Sequence, residues 1–358
     1  MADSSWKNGK TAQKKLSTKD KKVKIGLQMI ELMEKSGLPV WRCPWIFGSP
    51  DMAYKGAKYN GVNAVILALA RSAFGYKSRL WLTHTKVEAL NGKTWTPSKT
   101  GKGKGRWTKS ANTDDSSFAH IKKGSHGIPV VYWGWYDKKD ALGNPVLDAD
   151  GNPVKRAVLK TYVVHNADNV ENFDPTPFEP EMKSTGIDLH SCSLLEKRLL
   201  ESYSGHPVVI HGGDKACYRP VSDTISLPDP AQFTDVAKYA STVAHELAHS
   251  TGHSTRLNRK IDNIMGSEAY AREELVAEFT AAMVMGSLGL DTMPSMENSA
   301  AYLNSWLNFI KKSPDLLFDV ISDARKAACI IMGEQDVYSS DEDLEDSEEA
   351  ADTAASAV

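Results

Sequence analysis

The sequence predicts an α+β protein of two domains followed by an acidic tail. A length of 358 residues, 41% of them hydrophobic, is enough for about two cores. Helical and strand periodicities occur in both halves, and the charge changes sign along the chain. From composition we expect five units: a flexible basic N-terminus (1–19), a first domain (20–171), a linker (172–187), a second domain (188–333) and a disordered acidic tail (334–358).

The formal net charge of −2 conceals this asymmetry. Residues 1–170 carry 29 Lys and Arg against 13 Asp and Glu, a balance of +16, whereas residues 171–333 balance to −8 and residues 334–358 to −10. A basic first half indicates a polyanionic partner. We interpret the tail as a solubilising end, or alternatively as a competitor of that polyanion for the basic domain.

Membrane and secreted classes are excluded. No stretch approaches the ~18–20 consecutive apolar residues that span a bilayer, and the Lys- and Ser-rich N-terminus lacks the apolar core of a secretory signal. The four cysteines form no Cys-x-x-Cys pair, which argues against a thiolate zinc site or a disulfide scaffold and favours a cytoplasmic protein.

The periodicity in the first half predicts two helices and three strands, joined by a mobile basic loop over 91–115 and ended by the prolines of the linker. The helices are expected at 21–35 and about 60–73, and the strands at 80–83, 128–135 and 155–164. No internal repeat is evident. The second half predicts helices at 193–203, 235–251, 270–286, 297–312 and 314–331, with strands at 207–210 and 217–227.

The segment His245-Glu-Leu-Ala-His249 predicts a metal site. Histidines four residues apart lie on one face of a helix, so both rings can reach one ion. Such a pair suits Zn²⁺ and leaves coordination positions open. Glu246, between them, is placed to take a proton from water at the ion.

The third ligand is expected in the following helix. We assign Glu274 to this role and Glu278, one turn later, to the acceptor that fixes the tautomer of a ligand histidine. Glu273 is the fallback ligand. His253 is a weaker candidate, because on an unbroken helix it would lie about 12 Å along the axis from His245, and we interpret it as a residue on the substrate side.

The tryptophans predict a surface for single-stranded DNA. Eight of the nine lie within the first 135 residues, interleaved with lysines and arginines most densely over 93–107. Single-strand binders combine cationic grooves with aromatic faces on which bases stack. We interpret Trp81 and Trp133, which lie in apolar runs, as core residues. The DNA contacts are assigned to Lys93, Trp95, Lys99, Lys102, Lys104, Arg106, Trp107, Lys122 and Lys123.

Six ordered blocks of the sequence form one series along the chain. The blocks are Tyr59-Asn-Gly-Val-Asn63, Leu80-Trp-Leu-Thr83, Lys122-Lys-Gly-Ser-His-Gly-Ile-Pro-Val130, Tyr218-x-Pro220 with Asp223-x-Ile225 and Pro228, His245-Glu-Leu-Ala-His-Ser-Thr-Gly-His253, and Tyr270-Ala-Arg-Glu-Glu-Leu-Val-Ala-Glu278. This series resembles the ArdC-type antirestriction proteins. The resemblance covers about residues 20–330. It implies a single-stranded-DNA-binding domain, also found in plasmid primases, joined to a zincin-like metallopeptidase domain.

The resemblance implies an antirestriction protein of a plasmid or phage that protects incoming DNA from host restriction. The alternative is an active zinc-dependent protease, recruited to DNA, that cleaves a restriction enzyme or another host protein. Tyr218 and His253 both stay open as groups that face a substrate. Ser250, where the family often has Trp, the insert over 141–153 and the acidic tail depart from the family pattern. The sequence does not predict an oligomeric state.

Overall fold

A computed structural model describes most of both predicted domains. The described residues are 16–36, 51–55, 58–91, 94–96, 106–108, 118–140, 142–179, 191–233, 235–261, 267–290 and 308–335, with the main chain alone at 94–96 and 106–108. Residues 1–15 of the predicted flexible N-terminus, half of the linker (180–187) and nearly all of the acidic tail lie outside these residues, as do Lys93, Lys99, Lys102 and Lys104.

A four-stranded sheet and two long helices form the first domain. Its strands run in the order β1-β2-β7-β6, with β1 parallel to β2 and the other pairs antiparallel. The predicted helices and strands of this region are confirmed. The elements are α1 (Thr18–Ser36), β1 (Met52–Ala53), α2 (Gly61–Phe74), β2 (Leu80–Thr83), α3 (His84–Leu90), β3 (Thr94–Thr96), β4 (Arg106–Thr108), β5 (His120–Ile121), β6 (Ile128–Asp137), β7 (Lys155–Asn166) and β8 (Val170–Glu171).

Two features of the first domain correct the sequence analysis. The region predicted as a loop contains the antiparallel pair β3–β4, in which Trp95 pairs with Trp107. Trp81, in contrast, is buried as expected, and its Nε1 donates to Oδ1 of Asp51 at 2.7 Å. Trp133, also expected in the core, is 37% exposed, although Lys22 of α1 lies beside its ring.

The turn region between β6 and β7 contains a short tandem repeat that the sequence analysis missed. The motif Asp-Ala-x-Gly-Asn-Pro-Val occurs at 140–146 and again at 148–154. In each copy the first Asp accepts from the main chain of the Asn four residues later, at 2.9 Å. The two turns share Val146. Its main-chain N–H donates to the carbonyl oxygen of Lys138, and its carbonyl oxygen accepts from the main-chain N–H of Val154.

The second domain packs helices against a three-stranded sheet of order β10-β11-β9. Its predicted helices are confirmed where they are described; of the helix predicted over 297–312, residues 308–312 are described and are helical. The predicted strand over 217–227 is two strands joined by a turn. The elements are α4 (Cys192–Ser202), β9 (Val208–His211), β10 (Cys217–Arg219), β11 (Thr224–Leu227), α5 (Val236–Thr251), α6 (Glu268–Ser287) and α7 (Leu316–Met332).

One hydrophobic core crosses from the first domain into the second. Side chains of α1 and α2 belong to the same buried cluster as those of α5, α6 and α7. Gly26 of α1 lies against Pro314, so an added Cβ would clash with the carbonyl oxygen of Pro314. Lys311 and Glu34 form an ion pair beside this contact, at 2.6 Å. Helix α7 packs against α1 and α2 of the first domain and also against α5 and α6, so it links the helices of the predicted metal site to the first domain.

Candidate metal centre

Helix α5 carries the two histidines of the His-Glu-x-x-His segment. Its N-terminus is capped by the Asp235 side chain, which accepts from the main-chain N–H groups of Ala237 and Lys238, as expected for an aspartate at this position. The helix is buried from Tyr239 to Ala248. The spacing of four residues sets the His245 and His249 rings on one face, with their Nε2 atoms 3.1 Å apart.

Helix α6 carries the carboxylates. The side chain of Ser267 caps its N-terminus, and the helix is buried almost throughout from Ala271 to Gly286. Glu273, Glu274 and Glu278 are all buried. Because buried carboxylates require hydrogen bonds or cations, each of the three should have partners on α5 or nearby.

Glu274 meets both histidines. Its Oε2 lies 3.7 Å from Nε2 of His245, and its Oε1 lies 3.6 Å from Nε2 of His249. One ligand atom from each of the three side chains can be chosen so that all lie within 4.8 Å of one another. Two ring nitrogens on a tetrahedral Zn²⁺ would be about 3.3 Å apart, so the two imidazoles already have nearly this separation.

A second layer of carboxylates faces the other ring nitrogens. Nδ1 of His245 lies 3.5 Å from Oε1 of Glu278, and it makes no hydrogen bond with any of the described residues. Nδ1 of His249 lies 3.4 Å from Oε1 of Glu273. Arg259 holds Glu273 in turn, with Nε 3.0 Å from Oε2 and Nη2 2.7 Å from Oε1. Carboxylates in these positions orient histidine rings towards an ion on their far side.

The two histidines have pKa values shifted in opposite directions. Burial, together with the positive charge of His249, lowers the pKa of His245 well below its usual value. Burial also lowers the pKa of His249, but the hydrogen bond to Glu273 and the charges of Glu273 and Glu274 outweigh it and raise the pKa to about 9. In the absence of an ion, a proton on His249 therefore balances part of the carboxylate charge around it.

Glu246 lies inside the centre, on the side of the β10 strand. Burial and the charge of Glu274 raise its pKa to about 7, while His249 and a hydrogen bond from the main-chain N–H of Tyr218 lower it. This carboxyl group is thus poised to exchange a proton near neutral pH, beside an edge strand of the sheet.

The two residues assigned to the substrate side are occupied by other contacts. The Tyr218 hydroxyl donates to Oδ1 of Asp223 at 2.9 Å, and burial with this carboxylate raises the pKa of the phenol. Arg256 holds Asp223, with Nη1 3.1 Å from Oδ2. His253 follows the end of α5, and its Nδ1 lies 2.8 Å from Oγ1 of Thr255. His253 is not in the three-residue ligand group.

The predicted DNA contacts of the first domain lie apart in the chain, and few have described side chains. Arg106, Trp95 and Trp107 lie in the β3–β4 pair. Lys122 and Lys123 are exposed in the turn after β5, and Nζ of Lys122 donates to the carbonyl oxygen of Asp168 at 2.8 Å.

Sequence reasoning missed Arg259 and the role of Glu273 as partner of His249. A lone arginine in the loop between α5 and α6 carries no spacing signal. It also missed a group in which His211 lies 3.0 Å from Oε2 of Glu196 and 3.2 Å from the Tyr239 hydroxyl. His211 and Glu196 line a cavity of about 470 Å³, to which none of the three clustered ligands contributes.

Two family descriptions match the chain, one for each half. Residues 19–165 match the N-terminal domain of anti-restriction factor ArdC, and residues 201–323 match a zincin-like metallopeptidase domain. No described helix is long and apolar enough to cross a membrane.

Similar proteins include DNA primases and an uncharacterized protein. The chain is 31% identical to DNA primase TraC of Escherichia coli over 84% of its own length and 19% of the primase, and 29% identical to a second TraC over 26% of that primase. It therefore spans about a fifth to a quarter of the primases. The uncharacterized protein y4eC of Sinorhizobium fredii is 28% identical, over 85% of this chain and 89% of that protein.

The solved structures that resemble this chain are those of the antirestriction protein ArdC from plasmid R388. The metal-free form matches with a TM-score of 0.62 and the Mn(II)-bound form with 0.60. In both cases the identity is 26%, over 87% of this chain and 96% of that protein.

Proposed function

Because the chain belongs to the ArdC-type antirestriction family through both of its domains, we propose that it binds single-stranded DNA and protects the incoming DNA of a plasmid or phage from host restriction. The observation that carries this proposal is the likeness to the antirestriction protein of plasmid R388 over 96% of that protein. The basic first domain, with a balance of +16 over residues 1–170, supports a polyanionic partner.

We further propose that the second domain holds Zn²⁺ through His245, His249 and Glu274. Two imidazole nitrogens and one carboxylate oxygen within 4.8 Å of one another fit this ion. Glu273 is a poorer ligand than Glu274, because Arg259 already binds both of its oxygens. Zn²⁺ would act as a Lewis acid on a carbonyl oxygen of a substrate.

The protein's own groups would then supply orientation and proton transfer. Glu273 accepts from Nδ1 of His249 and fixes the tautomer of that ring. Glu278, 3.5 Å from Nδ1 of His245, would accept from that nitrogen when the ring binds the ion. Glu246 exchanges protons at the centre, and the main-chain N–H of Tyr218 holds its carboxylate in place. Tyr218 itself is committed to Asp223, so an oxyanion would depend on other donors.

Replacing Glu246 with Gln tests whether chemistry at this centre serves protection. The variant keeps the three ligands but removes the base. The assay is the transfer of unmodified plasmid DNA into a restricting host. Binding is the function if Glu246→Gln protects as well as the wild type, and if replacing the lysines, arginine and tryptophans of 93–107 abolishes protection.

The alternative function is proteolysis of a host protein recruited to DNA. This alternative rests on the convergence of a proton-transfer group, two histidines and a carboxylate in the second domain. Under this alternative, Glu246→Gln loses protection while its single-strand affinity and metal content equal those of the wild type. Retained protection in that variant would reject proteolysis as the route.

A further inference from the structure

The distal half of the β6–β7 hairpin presents tryptophan rings to solvent. Trp133 and Trp135 are two residues apart on β6, so both side chains lie on one face of the strand, and each is 37% exposed. Across the ladder they pair with Leu159 and Ala157. The rise of a strand sets the two positions about 6.5–7 Å apart, which leaves each ring room to accept a separate planar partner.

Cations border this face, which we call the tryptophan face and define by Trp133 and Trp135. Nζ of Lys22, from α1, lies 5.9 Å from the centre of the Trp133 ring and 3.7 Å from Oδ1 of the exposed Asp319 of α7. Lys155 projects from β7 on the same side as Trp135, across from Asp137. Lys21, the preceding residue of α1, donates to the carbonyl oxygen of Leu159, the ladder partner of Trp133. Aromatic rings flanked by lysines favour a partner that offers both flat rings and negative charge.

The opposite side of the hairpin repeats this combination. The Tyr136 ring lies across Gly134, where an added Cβ would be 2.6 Å from Cε2 of the ring. Nζ of Lys160 lies 4.4 Å from the centre of the same ring. Glycine at 134 therefore permits a second aromatic group to stack beside a cation, and both sides of one hairpin end expose such pairs.

Main-chain geometry directs further donors towards the same region. Asn63 of α2 bonds both the N–H and the carbonyl of Val131 at 2.8 Å, which places these groups on the side of β6 away from β7. In an antiparallel ladder the main-chain groups of every second residue point the same way. The N–H groups of Trp133 and Trp135, two and four residues after Val131, therefore also point away from β7. Such N–H groups can donate to phosphate oxygens.

We propose that the tryptophan face is a stacking surface for unpaired nucleotides, in addition to the contacts assigned to 93–107. The proposal rests on the proposed single-strand binding and names where two bases of the strand lie. Bases stack on Trp133 and Trp135, and phosphates are bound by Lys22 and Lys155. Single-stranded nucleic acid is favoured over a protein partner because the rings are flanked by cations on two separate elements.

The test measures the affinity of the full chain for a fluorescein-labelled oligothymidylate by anisotropy. Trp135→Ala should weaken binding by roughly one order of magnitude or more, because a lost base stack is worth ~1–3 kcal/mol. Trp135→Phe should retain most of the affinity, since it keeps an aromatic surface. Lys155→Gln should lower the slope of log affinity against log salt by about 0.7.

Leu142→Ala is the matched control, because Leu142 is an exposed apolar residue of the same hairpin that lies in the turn region; its affinity should equal that of the wild type. Circular dichroism checks that each variant is folded.

If the wild type binds the oligonucleotide and Trp135→Ala binds it equally well, the tryptophan face is not a stacking surface, while the proposed function still stands. Equal losses in Trp135→Ala and Trp135→Phe would also overturn stacking. A wild type without single-strand affinity refutes the proposed function itself.

Discussion

The metal centre and the tryptophan face differ in how their side chains are held. At the centre, the ionisable groups of α5 and α6 are buried, with His245 only 2% exposed. On the face, Trp133 and Trp135 are each 37% exposed. Buried ionisable groups require partners at fixed distances, whereas an exposed ring does not. The centre should therefore fail when one group is lost, and the face should weaken in steps.

Loss of one ligand should have the largest effect. We expect His249→Ala to reduce bound zinc from about one ion per chain to near zero, since two remaining ligands hold the ion poorly. Elemental analysis after dialysis measures this. His253→Ala should keep its zinc, because His253 lies outside the three-residue group. The reverse result would make His253 a ligand and refute the set proposed here.

Removing the arginine behind the centre should have the next largest effect. Arg259→Met leaves the carboxylate of Glu273 without its two hydrogen bonds and so loosens the orientation of His249. Zinc affinity should fall about 10- to 100-fold, as measured by competition with a chromophoric chelator.

A matched control for this change exists on α6. Arg272 binds Asp323 of α7 at 2.5 Å and is partly exposed. Arg272→Met removes an arginine–carboxylate pair without touching the histidines, so its zinc affinity should equal that of the wild type. Equal losses in both variants would mean that Arg259 supports the fold rather than the centre.

The shared core predicts that the two regions unfold together. In Gly26→Ala, the new Cβ would clash with the carbonyl oxygen of Pro314, and the free energy of unfolding should fall by about 1–3 kcal/mol. Urea unfolding followed by circular dichroism measures this change. Leu27→Ala, at an exposed position of the same helix, should cost little. Two separate transitions in the wild type would contradict a continuous core.

The sequence predicted the helices and the main strands but not the tryptophan face. His245 and His249 could be identified because four residues separate ligands on one helical face, and Glu274 because a buried helix rarely carries unpaired carboxylates. Trp133 lies in an apolar run, which indicates a core strand, yet its ring is 37% exposed beside Lys22 of α1. Exposure of this kind depends on how the helices pack on the sheet, and a local sequence pattern does not contain that information.

The smallest effect should come from the side chain that fixes the edge of β6. Asn63 bonds the N–H and the carbonyl of Val131, two residues before Trp133, so Asn63→Ala should lower the free energy of unfolding by about 1–2 kcal/mol. Asn60→Ala is the control, because the Asn60 side chain donates to the carbonyl of Lys58 in its own segment and should cost less. Single-strand affinity should fall less in Asn63→Ala than in Trp135→Ala, since both rings remain. A larger fall in Asn63→Ala would mean that the position of β6, rather than stacking on its rings, controls binding.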